Sequence, residues 1–306
     1  MMFVSGLTPM ILASPTVVHA FSYPVGPLEI TGFGLAMFLS FVVAQHVAQN
    51  ETARRGYDPQ PVGDLVFAAV IGGLAGAKIY YAILTGDPHA LLERAGFVFW
   101  GGLIGGTIGV LAMAKWRGMN LWRVADVGGP AVMAAYAVGR TGCWAVGDDY
   151  GRPWDGVLAV AFPNGAPPST AGIMSRVFGV TFPAGTPPDL VVGVHPTQLY
   201  EVTMACILFA VLWRLRDHRH AEGWLFGVYC MVAGLERFIV EFFRAKDDRF
   251  FGPLTTAQVF AILFVLAGGI IMAARNTPRA GALGIYRPGY TPDAAGSGGA
   301  GAARLG

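Results

Sequence analysis

The 306-residue chain is 54% hydrophobic, only 13% of its residues are charged, and its formal net charge is +2 at pH 7. Soluble proteins carry about 25% charged residues, so this composition excludes an ordinary cytosolic protein. A mean hydropathy of +0.52 predicts a polytopic protein whose apolar surface faces lipid. The near balance of 21 basic and 19 acidic residues leaves no basic field, which argues against nucleic acid as a partner.

Seven apolar segments are each long enough to cross a hydrocarbon core of about 30 Å, which takes roughly 20 helical residues. They lie near Ile30–Ala48, Val62–Thr85, Gly96–Lys115, Leu121–Trp144, Pro196–Trp213, Gly223–Phe243 and Thr255–Arg275. The predicted fold is an all-α polytopic membrane protein with seven transmembrane helices, formed by residues 1–275. Because Lys and Arg concentrate in alternate connections, the N-terminus is expected outside and the C-terminus in the cytoplasm.

Two segments differ in composition from the apolar spans. Residues 145–194 are rich in Pro and Gly, and we expect them to form a small extracytoplasmic cap with strand-like pieces at Val157–Phe162 and Arg176–Phe182. A long loop in a compact protein is usually functional. Residues 276–306 consist mainly of Gly, Ala and Pro without periodicity, which predicts a disordered cytoplasmic tail.

Charged residues within the apolar spans are the most informative feature of the sequence. A charge near the bilayer centre costs at least about 2.5 kcal/mol unless it is paired or reaches water. Arg140 lies near the end of the fourth span, and Arg237, Glu241 and Arg244 share one face of the sixth because they are spaced i, i+4, i+7. One interpretation is that these charged groups pair with one another and merely hold the helices together. Two arginines at headgroup depth also suit a phosphate diester, because each guanidinium presents a planar fork of donors.

Further polar groups fall at the same end of the spans as Arg140. Asp148 and Asp149 follow the fourth span, and the fifth span opens with His195, after which Tyr200 and Glu201 come within two helical turns. His195 suits either a loop or helix-capping role, or proton transfer. Together these residues predict a membrane enzyme or binding protein that acts on an anionic lipid headgroup.

Glycines fill the second and third spans. Gly101, Gly105 and Gly109 form a repeated GxxxG pattern, which permits close helix packing. Gly101 and Gly102 could also allow the backbone to approach a headgroup. The three cysteines, Cys143, Cys206 and Cys230, have no disulfide or zinc spacing.

Four stretches of the chain resemble the prolipoprotein diacylglyceryl transferases of bacterial plasma membranes, and the likeness runs through most of the spans. The stretches are Gly101-Gly102-Leu103-Ile104-Gly105, Gly139-Arg140-Thr141-Gly142 with Gly151-Arg152, His195-Pro196-Thr197-Gln198-Leu199-Tyr200-Glu201, and Arg237-Phe238-Ile239-Val240-Glu241-Phe242-Phe243-Arg244. The resemblance implies transfer of the diacylglyceryl group of phosphatidylglycerol, a membrane lipid, to the lipobox cysteine of a prolipoprotein signal peptide. It implies an outer-leaflet site in the bacterial inner membrane, with no metal and no cofactor.

The resemblance also implies roles for individual residues. Carried over by position, Arg140 would hold the phosphate and Arg237 would stabilise the charge of the departing headgroup, with Asp148 and His195 as further catalytic candidates. The candidate substrate-binding residues are Gly101, Gly102, Gly139, Gly142, Gly151, Gln198, Tyr200, Glu201, Glu241 and Arg244.

The chain departs from the family pattern at Phe33, Trp100, Cys143, Asp148 and Ala233. The family commonly has His at the position of Trp100 and a longer Glu at that of Asp148. Candidates for the base that takes the thiol proton are therefore Asp148, Asp149, His195 and Glu241, with water or an arginine-polarised thiol as further options. Alternatives to the transferase are a divergent paralogue with another acceptor and a lipid-binding or transport protein, although no internal repeat of the transporter type is visible.

Overall fold

A computed structural model describes residues 15–25, 28–91, 98–245, 249–251 and 253–277. Apart from residues 276 and 277, the predicted C-terminal tail lies outside the described residues. The helices are α1 (Gly32–Arg54), α2 (Pro61–Thr85), α3 (Phe99–Trp116), α4 (Leu121–Val146), α5 (Ala171–Phe178), α6 (Thr197–Leu215), α7 (Trp224–Val240) and α8 (Thr256–Ala274). A 3-10 turn, Pro88–Leu91, follows α2.

Each apolar segment of the sequence coincides with one of the long helices. The helices α1, α2, α6 and α8 are long and apolar enough to cross a membrane, judged by length and composition. A mostly helical membrane protein is therefore confirmed, whereas the crossing of α3, α4 and α7 stays a prediction. Local sequence explains the ends of α2, because Pro61 presets the helical φ at its start and Gly86 adopts the left-handed conformation, with φ 67°, after its last residue.

Short strands join segments that are distant in the sequence. The strands are β1 (Thr16–Val17), β2 (Ser22–Val25), β3 (Leu28–Thr31), β4 (Val160–Ala161), β5 (Arg249–Phe251) and β6 (Leu254–Thr255). β1 pairs in parallel with β4, while β2 with β3 and β5 with β6 form antiparallel pairs. No strand was expected before the first helix, because a two-residue pairing such as β1 with β4 depends on contacts across more than 140 positions.

The strand predicted at Arg176–Phe182 was wrong, because its first part belongs to helix α5. Ala171 and Met174 are buried at helical spacing, so the segment forms an amphipathic helix with one buried face. Gly179 ends the helix in the left-handed conformation, where its N–H group donates to the carbonyls of Met174 and Ser175. Within the other predicted strand, Val157–Phe162, only the two residues of β4, Val160–Ala161, pair with another strand.

The chain forms two compact units. The described residues of the first unit fall within Met1–Ser40, Tyr136–Leu208 and Val232–Val265, and those of the second fall within Phe41–Ala135, Phe209–Met231 and Leu266–Gly306. In the first unit, a core of Phe162, Met174 and Val194 is fully buried, and Tyr150 stacks on Phe162 at 5.6 Å between ring centroids. This core anchors the segment between α4 and α6 because its members come from both ends of that segment.

In the second unit, α2 and α3 approach so closely that their backbones touch. A Cβ atom on Gly72 would collide with the carbonyl of Gly105, and one on Gly76 with the carbonyl of Gly101. The packing role of the GxxxG pattern is therefore confirmed. Elsewhere in this unit, the fully buried Asp126 accepts hydrogen bonds from the N–H groups of Gly223 (2.8 Å) and Phe226 (2.9 Å), which satisfies the start of α7.

We expect Gly72→Ala to lower the free energy of unfolding by about 1 to 3 kcal/mol, because the methyl group forces two packed helices apart. The matched control is Gly73→Ala, whose new methyl group would lie 3.6 Å from the nearest neighbouring atom. Thermal unfolding of the detergent-solubilised protein measures both. Equal transition temperatures for the two variants would contradict the close approach.

Candidate active site

The charged residues of the sequence motifs come together within the first unit. They are supplied by the end of α4, the turn that follows it, the start of α6, and the end of α7 with the residues after it. The sequence predicted that these charged groups would lie close together, because all of them were assigned to the same end of their spans.

Two arginines and two carboxylates form a closed cycle of alternating charge, which we call the ionic ring: Arg140, Asp149, Arg244 and Glu201. Asp149 accepts hydrogen bonds from Arg140 Nη1 at its Oδ2 (2.9 Å) and from Arg244 Nη2 at its Oδ1 (2.6 Å). Glu201 forms an ion pair with Arg140 and lies 3.9 Å from Arg244 Nη1. Each arginine thus meets both carboxylates.

Burial is uneven around the ionic ring. The side chain of Glu201 is 2% exposed and those of Arg140 and Arg244 are 10% and 13% exposed, whereas that of Asp149 is 44% exposed. Removing charges from water is costly unless they are paired, so the buried members depend on one another. Asp149 is the member that solvent or a ligand can reach.

A second contact links the ionic ring to Arg237. Glu241, which is almost fully buried, forms an ion pair with Arg237 Nη2 at 2.6 Å, and the same oxygen lies 3.7 Å from Arg244 Nε. Arg237 remains 32% exposed, and its buried Nη1 makes no hydrogen bond among the described residues. Arg237 therefore has a donor left for an anion beside the ring.

The start of α6 fixes the turn that carries the two aspartates. Thr197 Oγ1 donates to the carbonyl of Asp149 at 2.7 Å, and Gln198 Nε2 donates to the carbonyl of Asp148 at 2.6 Å. Asp149 has a positive φ of 55°, a conformation that Asp and Asn adopt more readily than most residues. Gly151 is buried beside His195, where a Cβ atom would collide with the His195 side chain.

The two neighbouring aspartates have opposite electrostatic environments. Burial raises the pKa of Asp148, and the charge of Asp149 adds to this, although a hydrogen bond with Cys143 opposes it. Burial would also raise the pKa of Asp149, but the charges of Arg244 and Arg140 outweigh it and lower that pKa to about 2. Carboxylates whose environments separate their pKa values commonly have different roles in a site.

Cys143 lies against both Arg140 and the aspartates. Its Sγ accepts a hydrogen bond from Arg140 Nη1 at 3.1 Å. One potential ligand atom from each of Cys143, Asp148 and Asp149 lies within 4.8 Å of the others, an arrangement that resembles a metal site. Since Arg140 donates to both Cys143 and Asp149, its guanidinium supplies the positive charge at this cluster.

His195 is held within an aromatic cluster. Its ring stacks on Trp154 at 4.4 Å between centroids, lies edge-on to Phe243, and shares a hydrogen bond of 3.2 Å with the Tyr200 hydroxyl. Burial lowers the pKa of His195, so the neutral form dominates at neutral pH. These contacts favour a positioning role for His195 and Tyr200, and the use of His195 as a base stays a prediction.

The predicted glycines fall into different surroundings. Gly142 faces Phe33 and Ala36 of α1, whereas a Cβ atom on Gly139 would meet no atom within 4 Å. Gly101 and Gly102 belong to the second unit. Sequence reasoning missed Tyr136, which lies close enough to interact electrostatically with Arg140 and Glu201. Its position one helical turn before Arg140 was the available signal.

We expect Glu201→Gln to lower the free energy of unfolding by about 3 kcal/mol, because it leaves two buried guanidinium groups with one fewer counterion. Glu29→Gln is the matched control, since Glu29 is exposed in β3. Thermal unfolding in detergent compares the two. A Glu201→Gln transition as high as that of Glu29→Gln would show that the ring adds no stability.

Comparison with known proteins adds independent findings. A sequence model of the family described as prolipoprotein diacylglyceryl transferase matches residues 19–274. Proteins named phosphatidylglycerol–prolipoprotein diacylglyceryl transferase are similar over most of their length. The protein from Clostridium tetani is 28% identical over 79% of this chain and 91% of its own, and that from Mannheimia succiniciproducens is 29% identical over 82% and 90%. The protein from Solidesulfovibrio magneticus is 28% identical over 83% and 93%.

Proposed function

The chain belongs to the prolipoprotein diacylglyceryl transferase family, and we propose that it transfers the diacylglyceryl group of phosphatidylglycerol to the cysteine thiol of a prolipoprotein. One observation carries this proposal: in an otherwise apolar protein, Arg140 and Arg244 flank the reachable carboxylate of Asp149, and Arg237 is linked to Arg244 through Glu241. Guanidinium groups are suited to bind phosphate oxygens, and few other ligands would require three of them in a membrane protein.

The proposed setting is the bacterial inner membrane, with seven spans, the N-terminus outside and the C-terminus in the cytoplasm. The apolar helices support a multi-pass membrane protein. The excess of Lys and Arg in alternate connections supports the orientation. In this orientation the ionic ring faces the outer leaflet, where phosphatidylglycerol and an exported prolipoprotein with its lipobox cysteine can both reach it.

The reaction exchanges a carbon–oxygen bond for a carbon–sulfur bond. The cysteine sulfur attacks the carbon of the diacylglyceryl group that is bonded to the phosphate oxygen. The bond between this carbon and that oxygen breaks, and its electron pair stays on the phosphate oxygen. Glycerol phosphate leaves with an additional negative charge. Arg140 and Arg237 lower the barrier because fixed cations stabilise the charge that develops in the transition state.

Asp148 is the base that the environment of the site favours for the thiol proton. One of its oxygens, Oδ1, is buried and makes no hydrogen bond among the described residues, and its pKa is raised. Asp149 is a poor base because two arginines hold its pKa at about 2. A carboxyl group with a raised pKa accepts a thiol proton at a smaller energetic cost.

The other motif residues contribute by position. Gln198 and Gly151 hold the turn that carries Asp148, while Glu201, Glu241 and Arg244 fix the geometry and charge of the arginines. Tyr200 acts with His195 in the aromatic cluster. Gly139 and Gly142 let α4 bring Arg140 to the headgroup. In the second unit, Gly101 is buried against Gly76 of α2, so of this pair the half-buried Gly102 is the glycine that offers backbone to a headgroup.

The function is tested with the purified protein in phosphatidylglycerol liposomes and a lipobox peptide. The peptide mass should rise by one diacylglyceryl unit on its cysteine. An unchanged mass, while a family member works in parallel, would overturn the transferase and leave another acceptor or a binding role.

We expect Arg140→Ala and Arg237→Ala each to reduce kcat by about a hundredfold or more, because each removes a cation from the developing phosphate charge. Cys206→Ala is the control, since Cys206 is exposed on α6. The liposome assay measures all three, and circular dichroism verifies folding. Normal turnover by a folded Arg140→Ala protein would remove its phosphate role.

We also expect the rate to fall as the pH drops through the raised pKa of Asp148, because only the deprotonated carboxylate accepts the thiol proton. Asp148→Asn should lower kcat by about 10² to 10⁴ and abolish this acid limb. Asp155→Asn, at an exposed cap position, should leave the profile unchanged. An acid limb that persists in Asp148→Asn would assign the base elsewhere.

A further inference from the structure

Asp149 presents to the two arginines of the ionic ring the same chemistry that a phosphodiester would present. It carries one negative charge, and its two oxygens are divided between Arg140 (2.9 Å) and Arg244 (2.6 Å). A phosphodiester also carries one negative charge, distributed over two non-bridging oxygens. Arginine recognises carboxylate and phosphate through the same planar fork of donors. Unless the Asp149 side chain moves away, it would compete with a phosphodiester for these donors.

The two carboxylates of the ring differ in how easily a ligand could replace them. Glu201 is 2% exposed and enclosed by the protein, so it remains the permanent counterion. Asp149 is 44% exposed and belongs to a turn. Only the Asp149 position is therefore open to an incoming anion.

The backbone at Asp149 is secured independently of its carboxylate. Thr197 holds its carbonyl, and the neighbouring Gln198 holds the carbonyl of Asp148. The short side chain can consequently rotate away from the arginines while the turn keeps its conformation. Replacing one monoanion by another leaves the total charge of the buried ring unchanged, which avoids the cost of an unpaired buried charge.

We infer that Asp149 is a displaceable internal counterion that occupies the place of the lipid phosphodiester between Arg140 and Arg244 until the substrate arrives. The inference rests on the proposed function for the identity of the lipid. After the reaction, the return of Asp149 to the arginines competes with the leaving phosphate monoester and promotes its release.

The test is a binding measurement on the full-length protein in maltoside micelles, which contain no phosphate, titrated with short-chain phosphatidylglycerol. Asp149→Asn should lower the apparent Kd about fivefold, the scale of a partly exposed ion pair. It should also raise the stabilisation of the protein by saturating lipid. Asn preserves the preference for a positive φ at this position.

Asp155→Asn is the control matched for charge, because it removes one exposed carboxylate from the same unit. Its apparent Kd should equal that of the unmodified protein. An unchanged or higher Kd for Asp149→Asn, or an equal gain in both variants, would overturn the inference. If Asp149→Asn does not fold, Asp149→Gly replaces it, because glycine tolerates the positive φ and also lacks the carboxylate.

Separate titrations identify the source of the phosphate. Diacylglycerol, which has no phosphate, should show no gain in Asp149→Asn, and a gain would overturn the inference. A gain with glycerol phosphate or inorganic phosphate as well as the lipid supports a general phosphate position, whereas a gain with the lipid alone supports a position that also requires the acyl glycerol. Because binding needs no turnover, tighter binding without peptide lipidation would disprove the proposed function while leaving this inference intact. Peptide lipidation by the unmodified protein, together with an unchanged Kd for Asp149→Asn, would disprove this inference and leave the proposed function intact.

Discussion

The site depends on one constraint: charges withdrawn from water in an apolar protein must be paired with one another. Arg140 and Arg244 are stabilised because Glu201 and Asp149 each contact both of them. The arrangement keeps two guanidinium groups in place although like charges repel. It also means that the cations are present before any substrate binds, so little reorganisation is needed when a phosphate arrives.

The same constraint separates the roles of two adjacent aspartates. Asp149 meets both arginines and stays ionised, whereas Asp148 is turned toward Cys143, with one oxygen unpaired. The start of α6 enforces this difference, since Thr197 and Gln198 hold the two carbonyls of the turn. The substitution of Cys143 for the usual family residue is compatible with this geometry, because its sulfur accepts a hydrogen bond from Arg140.

The two units are each held together by a different kind of packing. In the first unit, aromatic and aliphatic side chains such as Phe162 and Met174 fill a core that anchors the segment between α4 and α6. In the second unit, glycines bring the α2 and α3 backbones into contact.

The sequence by itself determined the helices and the motif residues, because apolar length and intramembrane charge are local properties of the chain. The number and approximate positions of the long helices, the GxxxG packing, and the gathering of Arg140, Glu201 and Arg244 followed from spacing, whereas several helix ends lie up to six residues from the predicted ones. Tertiary structure alone decided that Ala171–Phe178 is helical, that β1 pairs with β4, and that Asp149 bridges two arginines while Asp148 does not. These features depend on contacts between residues far apart in the chain, and two neighbouring aspartates look alike until the side chains around them are known.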